Sequence, residues 1–248
     1  MDAKIENFRN KIKKSDDLNE DIQALTNHLN EFTGASATYI GKIVKPIKTG
    51  LAEDANDQDH HLPGAKAQIE ITNASAEYEF LIGKILKQED GVTYDLFREG
   101  DQVKQKENIV EATEAGLPKH LIVPEVVRNK DMHFFKVPRL GSYLAIKMEY
   151  QTCLYEEALD SAVNNYIDVA KYMKEIEEEK LEYENEQAEA KKEALDNGEP
   201  WTPEARDWPE PKYAAFKTAK VQFVVCLNTM GQDRQFTADE ISFALKTC

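Results

Sequence analysis

Hydrophobic positions change rhythm along this chain. Near the start they recur every three or four residues: Ile5, Phe8 and Ile12 share one helical face. After the polar Lys14-Ser15-Asp16-Asp17, so do Leu18, Ile22, Leu25, Leu29 and Phe32, and Gly34 is a natural helix stop. The middle reads as strands, at 38–44 (closed by Pro46), 68–71, 78–86, 121–124 and 133–137. A further strand is predicted over 91–97, where Val92, Tyr94 and Leu96 alternate with polar residues. The two most regular strands are 142–150 and 221–227. Residues 99–114 carry little pattern, and 50–64 reads as a polar, acidic loop.

Between the two best strands the pattern becomes helical again. Residues 156–196 contain neither Pro nor Gly and are rich in Glu, Ala, Lys and Leu, which predicts one long helix. Leu159, Val163, Ile167, Ala170 and Met173, with Tyr166 alongside, form an apolar stripe expected to pack on the rest of the domain. Beyond Ile176 only Leu181, Tyr183 and Leu195 remain apolar at wider spacing, so this half is expected to face solvent or a partner. Asn197-Gly198 ends the helix. Pro200, Pro203, Pro209 and Pro211, with Trp201 and Trp208 among them, then hold the chain extended.

Geometry makes this an out-and-back arm. A helix over 156–196 reaches about 60 Å, and residues 197–219 span at most roughly 75 Å when extended. The chain closes on a capping box, Thr237-Ala238-Asp239-Glu240, with Phe236 and Ile241 as a hydrophobic staple. Ile241, Ala244, Leu245 and Cys248 follow on one face.

Charge narrows the partners. The formal charge is −15, and 156–196 alone holds 14 acidic and 5 basic residues, a net −9. Phosphate recognition needs clustered Lys and Arg, so nucleic acid and anionic membrane surfaces are disfavoured. No apolar run approaches a membrane span, and the opening Met1-Asp2-Ala3-Lys4-Ile5-Glu6 lacks the layout of a secretory signal. Cys153, Cys226 and Cys248 have no metal-type spacing, and the first two lie in apolar contexts. They are read as buried free thiols in a reducing compartment, with the cytoplasm the simplest choice.

The phrase Phe223-Val224-Val225-Cys226-Leu227-Asn228-Thr229, then Asp233-Arg234-Gln235-Phe236-Thr237-Ala238-Asp239-Glu240, resembles the last strand and final helix of GAF domains. There, "F-T-x-x-E" opens the terminal helix. Gly141-Ser142-Tyr143-Leu144-Ala145-Ile146 looks like the preceding GAF strand, and the helix ending near Phe32 before a strand at Thr38 is similar to the GAF opening. The resemblance spans roughly residues 18–248. It implies an α+β fold: a GAF-like, mostly antiparallel central sheet flanked by N- and C-terminal helices, with the long acidic helix inserted between the last two core strands. On this reading 1–17 is a helical extension, 18–150 with 220–248 the GAF-like domain, and 151–219 the insertion with its Pro/Trp return. GAF domains usually join those two strands by a short connection.

The cyclic-nucleotide-binding subset of the family carries an Asn-Lys … Phe … Asp-Glu signature. Here Asn129-Lys130 and Phe134-Phe135 are present, but Pro138-Arg139 stands where the acidic pair is needed. A long charged helix grafted onto a small domain is also similar to extensions on structural proteins of ciliary axonemes, some of which carry GAF modules.

Candidate chemistry is sparse. His60-His61, with Asp54, Asp57 and Asp59, is read as a solvated loop, because adjacent histidines diverge and chelate poorly. His120 and His133 are isolated. No cysteine lies in a polar loop beside a base, and no glycine-rich phosphate loop is present. The expectation is therefore no catalytic residue, no metal and no cofactor. The predicted function is a non-catalytic scaffold or docking subunit of a larger assembly, cytoplasmic, with the ciliary axoneme as a candidate setting. A small-ligand sensor is the alternative. Partners are expected to be other proteins, met through the acidic helix and the Pro/Trp segment. Trp201, Trp208, Leu181 and Tyr183 are the candidate partner-binding residues, the two tryptophans weighed evenly against packing back on the domain.

Overall fold

The structure, a computed structural model, describes residues 2–14, 17–45, 66–114, 116–153 and 155–248. The expected loop at 50–64, with His60, His61, Asp54, Asp57 and Asp59, and the strand-ending Pro46 lie outside the described residues. Contacts divide the chain into two units, Met1–Tyr150 with Val221–Cys248, and Gln151–Lys220.

The first unit is built on seven strands: β1 (Ala37–Val44), β2 (Gln68–Ala74), β3 (Ile85–Leu86), β4 (Ile109–Val110), β5 (His120–Val123), β6 (Tyr143–Thr152) and β7 (Ala219–Asn228). Their order is β3-β2-β1-β7-β6-β5-β4, and the pairs from β1 with β2 to β5 with β6 run antiparallel. The last two sequence strands lie side by side at the centre of the sheet. Both faces are buried. Ile40, Leu144, Ile146, Val225 and Leu227 point into a helical layer made by α1 (Asp2–Ile12), α2 (Leu18–Thr33) and α4 (Ala238–Thr247). Tyr39, Ile71, Leu121, Tyr143, Ala145, Val224 and Cys226 point the other way, under Leu81, Leu86, Val92, Leu96 and Val126 of the long connections. Alternation with period two delivers successive residues of one strand to two different cores.

The helix ends follow their sequence signals. Asp17 accepts the Asn19 and Glu20 amides at the start of α2, and Gly34 closes it at φ 56°. Thr237 and Glu240 form the reciprocal capping box of α4. Arg234, unremarked in the sequence, ties the two helices together. Its guanidinium donates to both Glu240 oxygens at 3.0 Å and to the Thr33 carbonyl at 2.7 Å. This is the α+β layout expected from the GAF resemblance: a helix before the first strand, an antiparallel sheet, and a last strand leading to a capped terminal helix.

Two predicted strands are not strands, and a third is one only at its last two residues. Residues 78–86 form a 3-10 helix, Ala76–Leu81, and then only the two-residue β3. Here Tyr78 N–H donates to the Ser75 carbonyl, and Gly83 turns the chain at φ 80°. Thr93–Phe97 is also 3-10, with Thr93 and Asp95 buried beside Tyr94 and Leu96. Asp95 is accommodated by Arg98 at 3.4 Å and the Gln105 amide at 3.2 Å, so alternation there does not separate two faces. Residues 133–137 join no ladder and instead contribute side chains to a pocket. No helix among the described residues is long and apolar enough to cross a membrane.

Candidate functional site

The second unit is a helix and its return. α3 runs Glu156–Asn197, 42 residues. Glu156 and Glu157 in the first turn favour its N-terminal dipole. At the other end Gly198 adopts φ 73° and its amide, with that of Glu199, bonds the Ala194 and Leu195 carbonyls. Residues 199–218 then have no regular structure.

The return lies antiparallel along its own helix. Lys191 sits 5.4 Å from the Trp201 ring, the Glu204 amide donates to Gln187 Oε1 at 3.2 Å, and Tyr183 Oη donates to the Glu204 carbonyl. Arg206 pairs with Glu179 at 3.2 Å and stacks 4.4 Å over Trp208, which meets Tyr183 edge-on at 5.9 Å. Farther back, the Ala214 amide donates to Asn165 Oδ1 at 3.1 Å. From the Trp201–Lys191 pair to the Ala214–Asn165 pair, the return advances half as many residues as the helix. That ratio is the one between an extended rise of about 3.1 Å and a helical rise of about 1.5 Å.

The covered stripe is not the one the sequence suggested. Ala158, Val169 and Ile176 are buried, whereas Leu159, Val163, Tyr166 and Ile167 are 51–67% exposed. The return takes a face about a third of a turn away from the apolar stripe. Of the predicted partner-binding residues, Tyr183 and Trp208 come together, Trp201 sits two helical turns on against Lys191, and Leu181 stands apart, exposed. The two tryptophans and Tyr183 are half-buried staples of the return.

The sheet unit holds a second candidate, a cavity of about 100 Å³ lined by Tyr39, Tyr78, Phe80, His133, Phe135 and Lys136, among others. Lys136 Nζ lies 3.8 Å from the Phe80 ring and His133 meets Phe135 edge-on at 4.8 Å. His133 packs against Gly91, where a Cβ would come within 2.7 Å of it. Of the partial cyclic-nucleotide signature, Phe134 and Phe135 line this cavity, while Asn129 is engaged with Gln105 at 3.1 Å and with the Asp131 amide at 3.0 Å.

Cys226 is buried beneath this layer. Tyr143 Oη donates to its sulfur at 3.1 Å, and Thr93 Oγ1 lies 2.7 Å from the same hydroxyl. Burial pushes the thiol up to about 12, outweighing hydrogen bonds from Tyr143 and Tyr39 that pull it down. It is a protonated core group at neutral pH. Cys153, expected to be buried, is only half-buried, and all three cysteines are free. Among the described residues no three His, Cys, Asp or Glu side chains converge as metal ligands.

No protein-family model matches the chain, and no curated protein matches it. Among solved structures it is similar to the GAF domain of an Acinetobacter phosphoenolpyruvate-protein phosphotransferase, at 10% identity and a TM-score of 0.43, covering 99% of this chain and 86% of that one.

Proposed function

We propose that this chain is a non-catalytic docking subunit of a larger protein assembly, and that the arm formed by α3 and its return is the docking element. The observation that carries the reading is a 42-residue helix of which the return buries one stripe, leaving the acidic face and most of its apolar side chains in solvent. A helix of this length is costly to order for no gain, and its −9 charge suits a basic protein surface. Trp201, Trp208 and Tyr183, each half-buried, hold the return in place, and Leu181 is an exposed apolar side chain. The setting we favour is the cytoplasm, where three thiols remain free, and within it a filament assembly such as the ciliary axoneme. That preference rests on the likeness of a charged helix grafted onto a small domain.

The test replaces residues 156–216 with a short Gly/Ser linker and compares cross-linked partners of intact and armless chains by quantitative mass spectrometry. An unchanged melting temperature with loss of the partner set supports the reading; retention of the same partners by the armless chain overturns it. A tagged chain that is excluded from cilia in ciliated cells removes the axonemal setting.

The alternative reading, a small-ligand sensor, would use the aromatic cavity. Against it stands the cavity's volume of about 100 Å³, below the roughly 300 Å³ at which ligand pockets begin, with Lys136 over Phe80. Calorimetry with cAMP and cGMP is expected to show no heat of binding. Micromolar binding of either turns the reading toward the sensor.

A further inference from the structure

The sheet of the first unit ends on an open edge. β4 is the last strand in its order and pairs with β5 alone. Ile109 stands opposite Leu121, and the Thr113 amide donates to the Leu117 carbonyl at 3.0 Å, which closes the hairpin in the same register. In an antiparallel ladder, successive residues turn their backbone groups to alternate sides. Ile109, Glu111 and Thr113 therefore face β5, while the N–H and C=O groups of Val110 and Ala112 point away from the sheet. Among the described residues, none of these outward groups has a hydrogen-bond partner. Val110 is 44% exposed, and Ala112 is exposed as well.

Edges of this kind are commonly guarded by lysine, proline or a covering segment. The opposite edge is guarded: β3 lies between Lys84 and Lys87, and Asp90 takes the Lys87 amide at 2.9 Å. Residues 109–113 hold neither Lys nor Pro.

A cleft of about 950 Å³ opens along the same strand, lined by Phe97, Val103, Ile109, Lys119, Lys147 and Met148 among others. Its four cations and three carboxylates nearly cancel, with Lys119 paired to Glu111 at 3.0 Å and Lys147 to Glu149 at 2.9 Å. Main chain, not charge, therefore selects the occupant. An extended segment supplies in register the carbonyls and amides that Val110 and Ala112 lack, and sends every second side chain toward the cleft. A second copy of this chain fits less well. The antiparallel register that sets Val110 opposite the copy's Ala112 puts Glu111 directly against its own counterpart, on chains of charge −15.

We infer that the outer edge of β4 receives an extended segment of a partner protein as an eighth strand beside the seven of the sheet, its apolar side chains entering the cleft. The inference does not depend on the arm and gives the chain a second docking surface, selective for backbone.

The probe is a fluorescent octapeptide of alternating Val and Thr, titrated by anisotropy against the full chain. A comparison peptide carries N-methyl groups on two adjacent central residues, which removes a donor from either of its edges. The first is expected to bind and the second to bind roughly tenfold or more weakly. Hydrogen exchange on the wild-type chain is expected to slow at the Val110 and Ala112 amides when the first peptide saturates. Ala112→Pro removes one outward donor and no ladder bond, so circular dichroism and melting temperature stay at wild-type values while affinity falls roughly tenfold or more.

No binding of the first peptide, equal binding of the methylated one, or wild-type affinity in a folded Ala112→Pro chain overturns the inference. Protection that appears at Ile85 of β3, or anywhere but Val110 and Ala112, overturns it too. If Ala112→Pro melts lower, the exchange result on the wild-type chain decides alone. Sedimentation showing that the wild type dimerises and that Ala112→Pro does not assigns the edge to a second copy and overturns the partner strand.

Discussion

In β6 and β7 of the sheet unit, consecutive residues serve opposite cores. Leu144 and Val225 face the helices while Tyr143 and Val224 face the connections, and all four are fully buried. In α3, by contrast, one helix carries two apolar stripes and has cover for one. The sheet unit buries nearly every apolar side chain its strands offer, so its residues are bound by packing. The arm holds its return with three hydrogen bonds between return backbone and helix side chains, an ion pair and three aromatic staples, and keeps a further apolar face bare. The sheet unit also exposes apolar side chains, among them Val137 and Leu140, but these lie in its connections and not on the central strands.

The largest effect that tests this difference is truncation at matched residue type. Leu144→Ala, with no exposed surface in the native state, is expected to cost about 3–5 kcal/mol in urea denaturation. Leu159→Ala, more than half exposed, is expected to change stability by no more than about 0.5 kcal/mol. Comparable losses would mean that Leu159 is buried in solution and that the arm is closed. Next in size is Ile176→Ala, under the return. It is expected to cost about 2 kcal/mol or less, confined to the arm. Hydrogen exchange should quicken over 165–190 while β1 and β7 keep their protection.

Smaller again is Trp208→Ala. It removes the edge-on contact with Tyr183 and the stacked Arg206, together about 1 kcal/mol at an exposed site. Exchange at the Glu204 amide should rise, with the melting temperature of the sheet unit unmoved. Loss of global stability in this variant would show that the return is part of the main core.

How far the chain could be read from its sequence follows the same division. The strands at 142–150 and 221–227 were legible as near-continuous apolar runs, because Tyr143–Ile146 and Phe223–Leu227 are buried on both faces of the sheet. Helix ends were legible at Gly34, Gly198 and Thr237, which carry local chemistry that needs no tertiary partner, while Asp17, the cap of α2, was read only as part of a polar break. Residues 78–86 and 91–97 were not legible. A run of Tyr, Phe, Leu and Ile satisfies strand propensity, yet local bonds such as Tyr78 to Ser75 and the Asp95–Arg98 contact fix 3-10 turns. The long helix was plain in the absence of Pro and Gly, but not which stripe would be covered. Periodicity reports that Leu159, Val163 and Ile167 share a face; the cover came from Arg206, Trp208 and Ala214, whose partners Glu179, Tyr183 and Asn165 are polar or aromatic positions outside that face. The tryptophans were weighed evenly between partner anchors and packing back on the domain, and the structure sets them against Lys191, Arg206 and Tyr183 of the same unit.

The smallest expected effect separates the units by pH. The arm contains no histidine, so between pH 7 and the carboxylate range its own stability should be flat. The helical layer of the sheet unit holds His28, stacked on Phe8 at 4.3 Å and tilted against Phe243 at 5.3 Å. Burial holds the His28 imidazole below its ordinary value of 6.5; Glu31 opposes the shift, and Lys4 and Lys11 add to it. A histidine lowered in the folded state binds more protons when unfolded, so stability rises with pH across this window. On acidification, that contribution is lost from about 6.5 downward until the folded ring itself titrates. His28→Phe keeps an aromatic ring in the stack and removes the proton site. Below pH 6.5, the melting temperature of the wild type should therefore fall faster than that of His28→Phe, and exchange over α1 should quicken in step while exchange over the arm does not. A wild type whose pH profile parallels that of the variant would place His28 in water and leave the docking of α1 independent of pH.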